Sequence, residues 1–230
     1  MQREAAKLKG EIVSIANSSD PYPRIEAEAG LTRKCLAVLS QHDCQIQIIT
    51  KSTLVKRDTD ILSKIPCTVA LTITTDDENT AKLLEPHAPS PAERLKTVET
   101  LTSKGVPVSV RIDPIIPFVS DKPEKLITTL ADMGVKHVTT STYKAKPDNW
   151  RRLATAMPQV TEKLKPLYFE QGEKTAGCTL LHSDLRLKLM KNIRHLAIEN
   201  GMRFGVCREN LAELNTAACD GSWLMSAKPR

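Results

Sequence analysis

The stretch Pro107–Pro117, PVSVRIDPIIP, decides the fold. It reads as a short β-branched strand that ends by presenting Arg111 and Asp113 and then meets Pro114 and Pro117. Those prolines forbid a helix directly after the strand. A buried strand that delivers charged groups at its carboxyl end and turns away into a loop is the arrangement at the site-bearing rim of a β/α barrel.

Working outward, the same unit recurs. Ile12 to Ala16 reads as a strand, followed by the polar turn Asn17 to Pro21. Ile25, Ala29, Thr32, Leu36 and Leu39 then keep helical spacing, and the helix is expected to bury that stripe. Strand Gln45–Thr50 ends in Lys51 and Ser52, with a helix near Asp58–Lys64. Strand Thr68–Ile73 ends in Thr74, Thr75 and Asp76 before a helix over Asp77–Leu84. Ser90-Pro91-Ala92-Glu93 joins a capping box to a proline at the first helical position, so a helix starts there and runs to Gly105. Asp121 is expected to cap a helix that stops at Gly134. Strand Val135–Thr140 ends in Ser141, Thr142, Tyr143 and Lys144. Beyond it come helical segments at Asp148–Met157 and Thr161–Pro166, a loop with Gly172 and Gly177, a long helix over Ser183–Asn200, and a last strand at Phe204–Val206.

Strands alternating with helices at spacings of about 25 to 40 residues imply a parallel sheet with right-handed crossovers. The expected organisation is a partial β/α barrel core over residues 1–145 and a helical C-terminal extension over 146–230 packed on it. The 230 residues suit one medium domain, and 40% hydrophobic with 26% charged content is that of an ordinary globular chain. No apolar run approaches the roughly 20 residues that span a bilayer. The charged N-terminus lacks the apolar core of a secretion signal, so a cytoplasmic location is expected. A net charge of +6 would favour polyanions, but Lys and Arg are dispersed, and 3% aromatic content argues against a stacking platform for single strands.

If the strands are parallel, their polar tips share one rim. Ser19, Thr74 and Ser141 on that rim either cap the following helices or face a ligand. Lys51 and Arg111 each need a partner or a ligand, because an unpaired cation ending a buried strand costs several kcal/mol, on the order of a desolvated ion. Arg111 and Asp113 form either a substrate clamp or a mutual ion pair. The six cysteines, Cys35, Cys44, Cys67, Cys178, Cys207 and Cys219, show no disulfide framework. Cys35 and Cys67 read as buried thiols.

Taken in order, Ser18-Ser19-Asp20-Pro21-Tyr22, Ile49-Thr50-Lys51-Ser52, Leu84 to Pro91, Val110 to Pro117, Thr140 to Lys144, Cys207-Arg208-Glu209 and Cys219 to Ser222 resemble one family. It is the spore photoproduct lyase-related, DNA repair photolyase-like branch of the radical S-adenosylmethionine superfamily. The resemblance runs from about Glu11 to Trp223. It implies a partial β/α barrel holding S-adenosylmethionine and a four-iron iron-sulfur cluster, and a nucleic acid base or modified nucleotide as substrate. By position, Ser19 and Asp20 would meet the amino group of the methionine moiety, Lys51 its carboxylate, and Thr72 the ribose hydroxyls, with Thr74 beside it. Arg111, Asp113, Ser141 and Tyr143 would line the substrate side of the rim.

The family's C-x3-C-x2-C motif does not occur in this chain, and those three thiolates are what hold the cluster. The resemblance therefore implies a chain lacking its first β/α unit, with a second chain as one possible source of the cluster segment. Asn17 and Ser18 stand where spore photoproduct lyases carry a hydrogen-donating cysteine. Cys207 and Cys219, separated by eleven residues, with Cys178 upstream, are either metal ligands or incidental thiols. The five histidines make no pair at ligand spacing and read as surface or loop residues. Trp223 is expected to pack the tail onto the barrel. Two functions are carried forward: a radical S-adenosylmethionine enzyme or its major fragment, and a cluster-less binding or scaffold module.

Overall fold

The computed structural model describes residues 7–15 and 19–226. The helix-prone start at Met1–Lys9 lies largely outside the described residues, as do Ala16, Asn17 and Ser18. In chain order the elements are β1 (Ile12–Ile15), α1 (Glu26–Ala29), α2 (Leu31–Leu39), β2 (Gln45–Thr50), a 3-10 turn (Thr53–Asp58), α3 (Thr59–Leu62), β3 (Cys67–Thr72), α4 (Glu78–Leu84), α5 (Pro91–Ser103), β4 (Val108–Ile115), α6 (Glu124–Asp132) and β5 (His137–Thr142). There follow α7 (Pro147–Ala156), α8 (Pro158–Phe169), β6 (Glu173–Thr175), β7 (Cys178–Leu180), α9 (Ser183–Glu199), β8 (Arg203–Val206) and α10 (Trp223–Ser226).

Six strands form one parallel sheet in the order β1-β2-β3-β4-β5-β8, so every strand tip points to the same rim. Each strand lies beside its predecessor, as successive right-handed β/α units place it. β8 comes from the C-terminal stretch and extends the sheet beside β5.

Register separates the two faces. Ile46, Ile48, Val69, Leu71, Val110, Ile112, Val138, Phe204 and Val206 point one way and pack against Leu36 and Leu39 of α2, Val98 and Leu101 of α5, Ile127 and Leu130 of α6, and Met190 and Ile193 of α9. The alternate residues Gln47, Ala70, Thr72, Ser109, Arg111, His137, Thr139 and Gly205 point the other way. That inner face is small and polar. The segment ending in α10 crosses it: Gln47 donates to the Asp220 carbonyl at 2.5 Å, Thr139 donates to the Cys219 carbonyl at 2.7 Å, and the ring of Trp223 meets His137 edge-on.

Several local expectations hold. The Ser90 capping box forms, with both reciprocal bonds to Glu93 present, and the long helix stops before Gly201. Others change. The stripe from Ile25 to Leu39 is broken at Gly30, whose φ of 60° no β-carbon tolerates well, so Ile25 is exposed and only Thr32, Leu36 and Leu39 are buried. Asp121 caps nothing; the next helix starts at Glu124 with Pro123 before it. β4 runs on past Asp113 to Ile115, through the proline expected to end it, and the ladder with β5 shifts register between Ile112 and Ile115, which is where a central strand can hold Pro114. The loop expected around Gly172 and Gly177 is an antiparallel hairpin, β6-β7, that turns at Gly177.

Candidate functional site

The strand tips are tied into one polar belt. At the β1 side, Asp20 accepts from the Thr50 hydroxyl at 2.7 Å, the Lys51 amide at 2.7 Å and the Tyr22 amide at 2.9 Å. Its carboxylate thus clamps the loop after β1 onto the tip of β2. Ser19 is exposed beside it. Behind this corner the buried Asp58 receives the Tyr22 hydroxyl, Arg33 and Arg57, and Arg57 also pairs with Glu26 at 2.8 Å. Burial first, then the charge of Asp58, drives the Tyr22 phenol far above its usual range, so it stays a donor.

The belt continues through Glu85. Lys51 Nζ lies 3.7 Å from it, the Thr74 hydroxyl 2.9 Å, and the buried Arg94 guanidinium 2.5 Å. Arg94 also donates to the Thr72 and Pro89 carbonyls, so one cation welds the β3 tip to the start of α5. Thr74 reaches the Asp113 carbonyl at 3.1 Å. On β4, Arg111 pairs with Asp113 at 2.6 Å, and Asp113 accepts from Ser141 at 2.6 Å. Burial lowers the Arg111 pKa, but Asp113 and then Cys207 together outweigh it and hold it above its ordinary value. Both residues form the mutual ion pair that the sequence left open beside a substrate clamp. Beyond Arg111 stand Cys207 and Cys219.

A groove of about 870 Å³ opens at the β1–β2–β3 end of this belt. It falls within the roughly 300–1,000 Å³ of small-molecule sites. Asp20, Lys51, Ser52, Lys56, Arg57, Arg24 and His87 supply its polar wall, and Pro23, Leu54, Pro86 and Pro89 its apolar one. Of the expected cofactor residues, the groove brings together Asp20 and Lys51. Thr72 and Thr74 are buried one strand further in; Thr72 is in register with Arg111, and Thr74 joins the groove's Lys51 only through Glu85. Tyr143 turns away from the rim: its hydroxyl donates to Asn149, and its ring packs against Tyr168 in a second apolar cluster with Leu153, Leu164 and Leu181.

Three titratable groups escape the sequence pattern. Arg94 sits on an ordinary amphipathic helix, yet it is 1% exposed. Glu209, fully enclosed, accepts from the Thr142 amide and hydroxyl and pairs with Lys144 at 2.8 Å. His137, expected at the surface, is completely buried on β5, because an inward position on a parallel strand has no local signature. Its Nδ1 lies 2.8 Å from the Ser109 hydroxyl while Nε2 has no partner among the described residues, and burial pushes its pKa down to about 4. The other deviation is Cys35, which is half-buried rather than enclosed; Cys67 is buried as expected.

No protein-family model matches the chain. In sequence it is 36% identical over 115 residues to an uncharacterized protein of Methanocaldococcus jannaschii, an alignment covering 50% of this chain and 44% of that one. An uncharacterized protein of Mycobacterium tuberculosis is 25% identical over 169 residues, covering 69% of this chain and 50% of the relative. An uncharacterized protein of Acidianus two-tailed virus is 33% identical over 141 residues, with 57% and 46% covered. The chain spans about half the length of these curated relatives. Among solved structures it is similar to spore photoproduct lyase. One variant superposes with a TM-score of 0.66 at 14% identity, covering 86% of this chain and 61% of that one. Another, with bound AdoMet and dinucleoside spore photoproduct, gives 0.60 at 14% identity with the same coverage.

The likeness is one of fold. The six-stranded parallel sheet agrees with the partial barrel that the sequence implied. The residues present do not fit an iron-sulfur cluster: among the described residues no three His, Cys, Asp or Glu side chains stand together as a metal site, and Cys207 and Cys219 remain a pair. They do suit a zwitterion, which takes an anion at its ammonium and a cation at its carboxylate. Among the described residues, no helix is long and apolar enough to cross a membrane.

Proposed function

We propose that this chain binds S-adenosylmethionine, as the barrel portion of a radical S-adenosylmethionine protein related to spore photoproduct lyase. Asp20 with Ser19 would receive the methionine ammonium, Lys51 its carboxylate, and the proline-lined wall the adenosine, with Thr72 and Thr74 supporting the β3 side from within. The observation that carries the reading is the groove itself: an acid and a base from adjacent strand tips face one cavity of cofactor size, in a fold similar to a protein solved with AdoMet. Arg111, Asp113 and Ser141 would then border the substrate side, with a nucleic acid base as the substrate class. A solved neighbour carries a dinucleoside.

On this reading the chain contributes binding and orientation. Bound AdoMet supplies the methionine-linked adenosyl group on which radical chemistry depends. The cluster ligands would come from a second chain or a further segment, since the described residues do not supply them. That same lack favours a second reading, a cluster-less binding module. Anaerobic reconstitution with iron and sulfide, with the chain supplemented by a segment carrying the C-x3-C-x2-C motif, separates the two: a visible iron-sulfur absorption band together with cleavage of AdoMet supports the enzyme, and AdoMet binding without cleavage supports the module.

Equilibrium dialysis with labelled AdoMet tests the binding step. Saturable one-site binding is expected, and Lys51→Ala should weaken it by about 1.5 to 3 kcal/mol, roughly 10- to 150-fold, the scale of a charged hydrogen bond. Lys51→Arg should restore part of it. No binding by the unmodified chain overturns the proposal.

A further inference from the structure

Cys207 and Cys219 are brought together by backbone geometry at the far end of the belt from the groove. The Cys207 amide donates to the Thr140 carbonyl at 2.9 Å, which carries the parallel pairing one residue past β8. Cys207 therefore points to the same face as Gly205, two residues earlier. A β-carbon at Gly205 would lie 2.6 Å from the Cys219 Cα and 3.0 Å from its Cβ, so the missing side chain is the space through which the C-terminal segment approaches the strand. The Thr139 hydroxyl holds that segment by the Cys219 carbonyl.

At this approach each thiol shifts the other's ionisation, and the Arg111 guanidinium favours the thiolate form of Cys207. Both cysteines are partly exposed. The other four differ: Cys44 and Cys67 are buried and donate to helix-end carbonyls, Cys178 contacts the Thr175 hydroxyl, and Cys35 lies on α2. Two adjoining thiols with a cation beside them and, among the described residues, no third ligand suit thiol–disulfide exchange better than a metal.

We propose that Cys207 and Cys219 are a redox-active dithiol, with Cys207 as the attacking thiolate and Cys219 as the resolving thiol, that exchanges with low-molecular-weight disulfides. The Cys219 hydrogen bond and the Arg111 charge lower the Cys207 pKa against its burial, while Cys219 is pushed up. The Cys207 thiolate attacks the probe RS–SR; the probe's S–S bond breaks, Cys207–S–SR forms and RS⁻ leaves. The Cys219 thiol gives its proton to that RS⁻, and its thiolate attacks the Cys207 sulfur, expelling a second RS⁻. Two protein thiols have lost two electrons and the probe has gained them, giving one RSH and one RS⁻. The bond would staple the C-terminal segment to the tip of β8. The inference stands independently of AdoMet binding.

The reduced protein is equilibrated in a series of oxidised and reduced glutathione mixtures, alkylated and mapped by peptide mass spectrometry. A Cys207–Cys219 linked peptide, two hydrogens lighter, is the expected product, and Cys219→Ser should trap glutathione on Cys207. In the unmodified chain, alkylation of Cys207 should follow a midpoint at least about 1.5 pH units below the roughly 8.5 of an ordinary cysteine, and Arg111→Met should move it back up. The inference is overturned if the pair stays unlinked across the series, if Cys207 titrates like an ordinary thiol, or if the pair holds one equivalent of zinc.

Discussion

The helix-facing side of the sheet and its inner side are made from alternate residues of the same strands, yet they obey different rules. Val110, Val138 and Phe204 face the helices with nothing but carbon. Their neighbours Arg111, His137, Thr139 and Gly205 face the segment that crosses the inner side, where polar groups are tied to named partners except His137 Nε2 and the Trp223 indole nitrogen. Apolar burial is non-directional and tolerates substitution of similar volume, whereas each enclosed polar group costs energy unless its bond is made. The first face therefore sets the fold, and the second, with the belt that continues it along the strand tips, is where binding and thiol chemistry are available.

Substitutions on either face sharpen this contrast. The largest effect is expected from Phe204→Ala, which empties a fully enclosed volume: about 3 to 5 kcal/mol of stability should be lost in denaturant unfolding, with the chemistry of the rim kept in whatever fraction stays folded. Arg94→Met should cost about 3 kcal/mol, because Glu85 loses its buried cation while Lys51 remains only a distant partner. Should the loss be negligible, the belt is not a structural unit.

A pH profile probes the inner face directly. His137 has its pKa lowered to about 4, chiefly by burial, against the ordinary value near 6.5. Between these values the unfolded chain binds a proton that the folded chain refuses, so stability is fully present above pH 6.5 and falls as the pH drops toward 4. The loss attributable to this group is up to about 3 kcal/mol, and His137→Gln should flatten that part of the profile. Gly205→Ala should have the smallest effect on stability, about 1 to 3 kcal/mol, since its β-carbon displaces Cys219. It should also abolish the Cys207–Cys219 link, read by the same peptide mapping.

The outer face was legible in the sequence because its signals are local. β-branched runs, the Ser90 capping box and the residues at strand tips place Lys51, Arg111, Asp113 and Ser141 at strand ends, and parallel pairing brings those ends to one rim. The inner face was not. Whether His137 points to solvent or to the interior depends on which residues of β4 and β8 stand opposite it. Arg94 looks like any charged residue of a helix until the β3 tip is laid beside it. The approach of Cys219 to Cys207 exists only because the last strand joins β5 and the chain then doubles back through a glycine-sized gap. Ser19, Asp20 and Lys51 were readable as residues, but that Asp20 also anchors the β2 tip through Thr50 and the Lys51 amide is visible only in three dimensions.

Amide hydrogen exchange with and without AdoMet addresses the central claim most directly. Protection should rise in the segments that wall the groove, around Asp20 to Arg24, Lys51 to Arg57 and Pro86 to Pro89, and leave the helix-facing core unchanged. Unaltered exchange at saturating AdoMet, or protection confined to residues outside that wall, would contradict it.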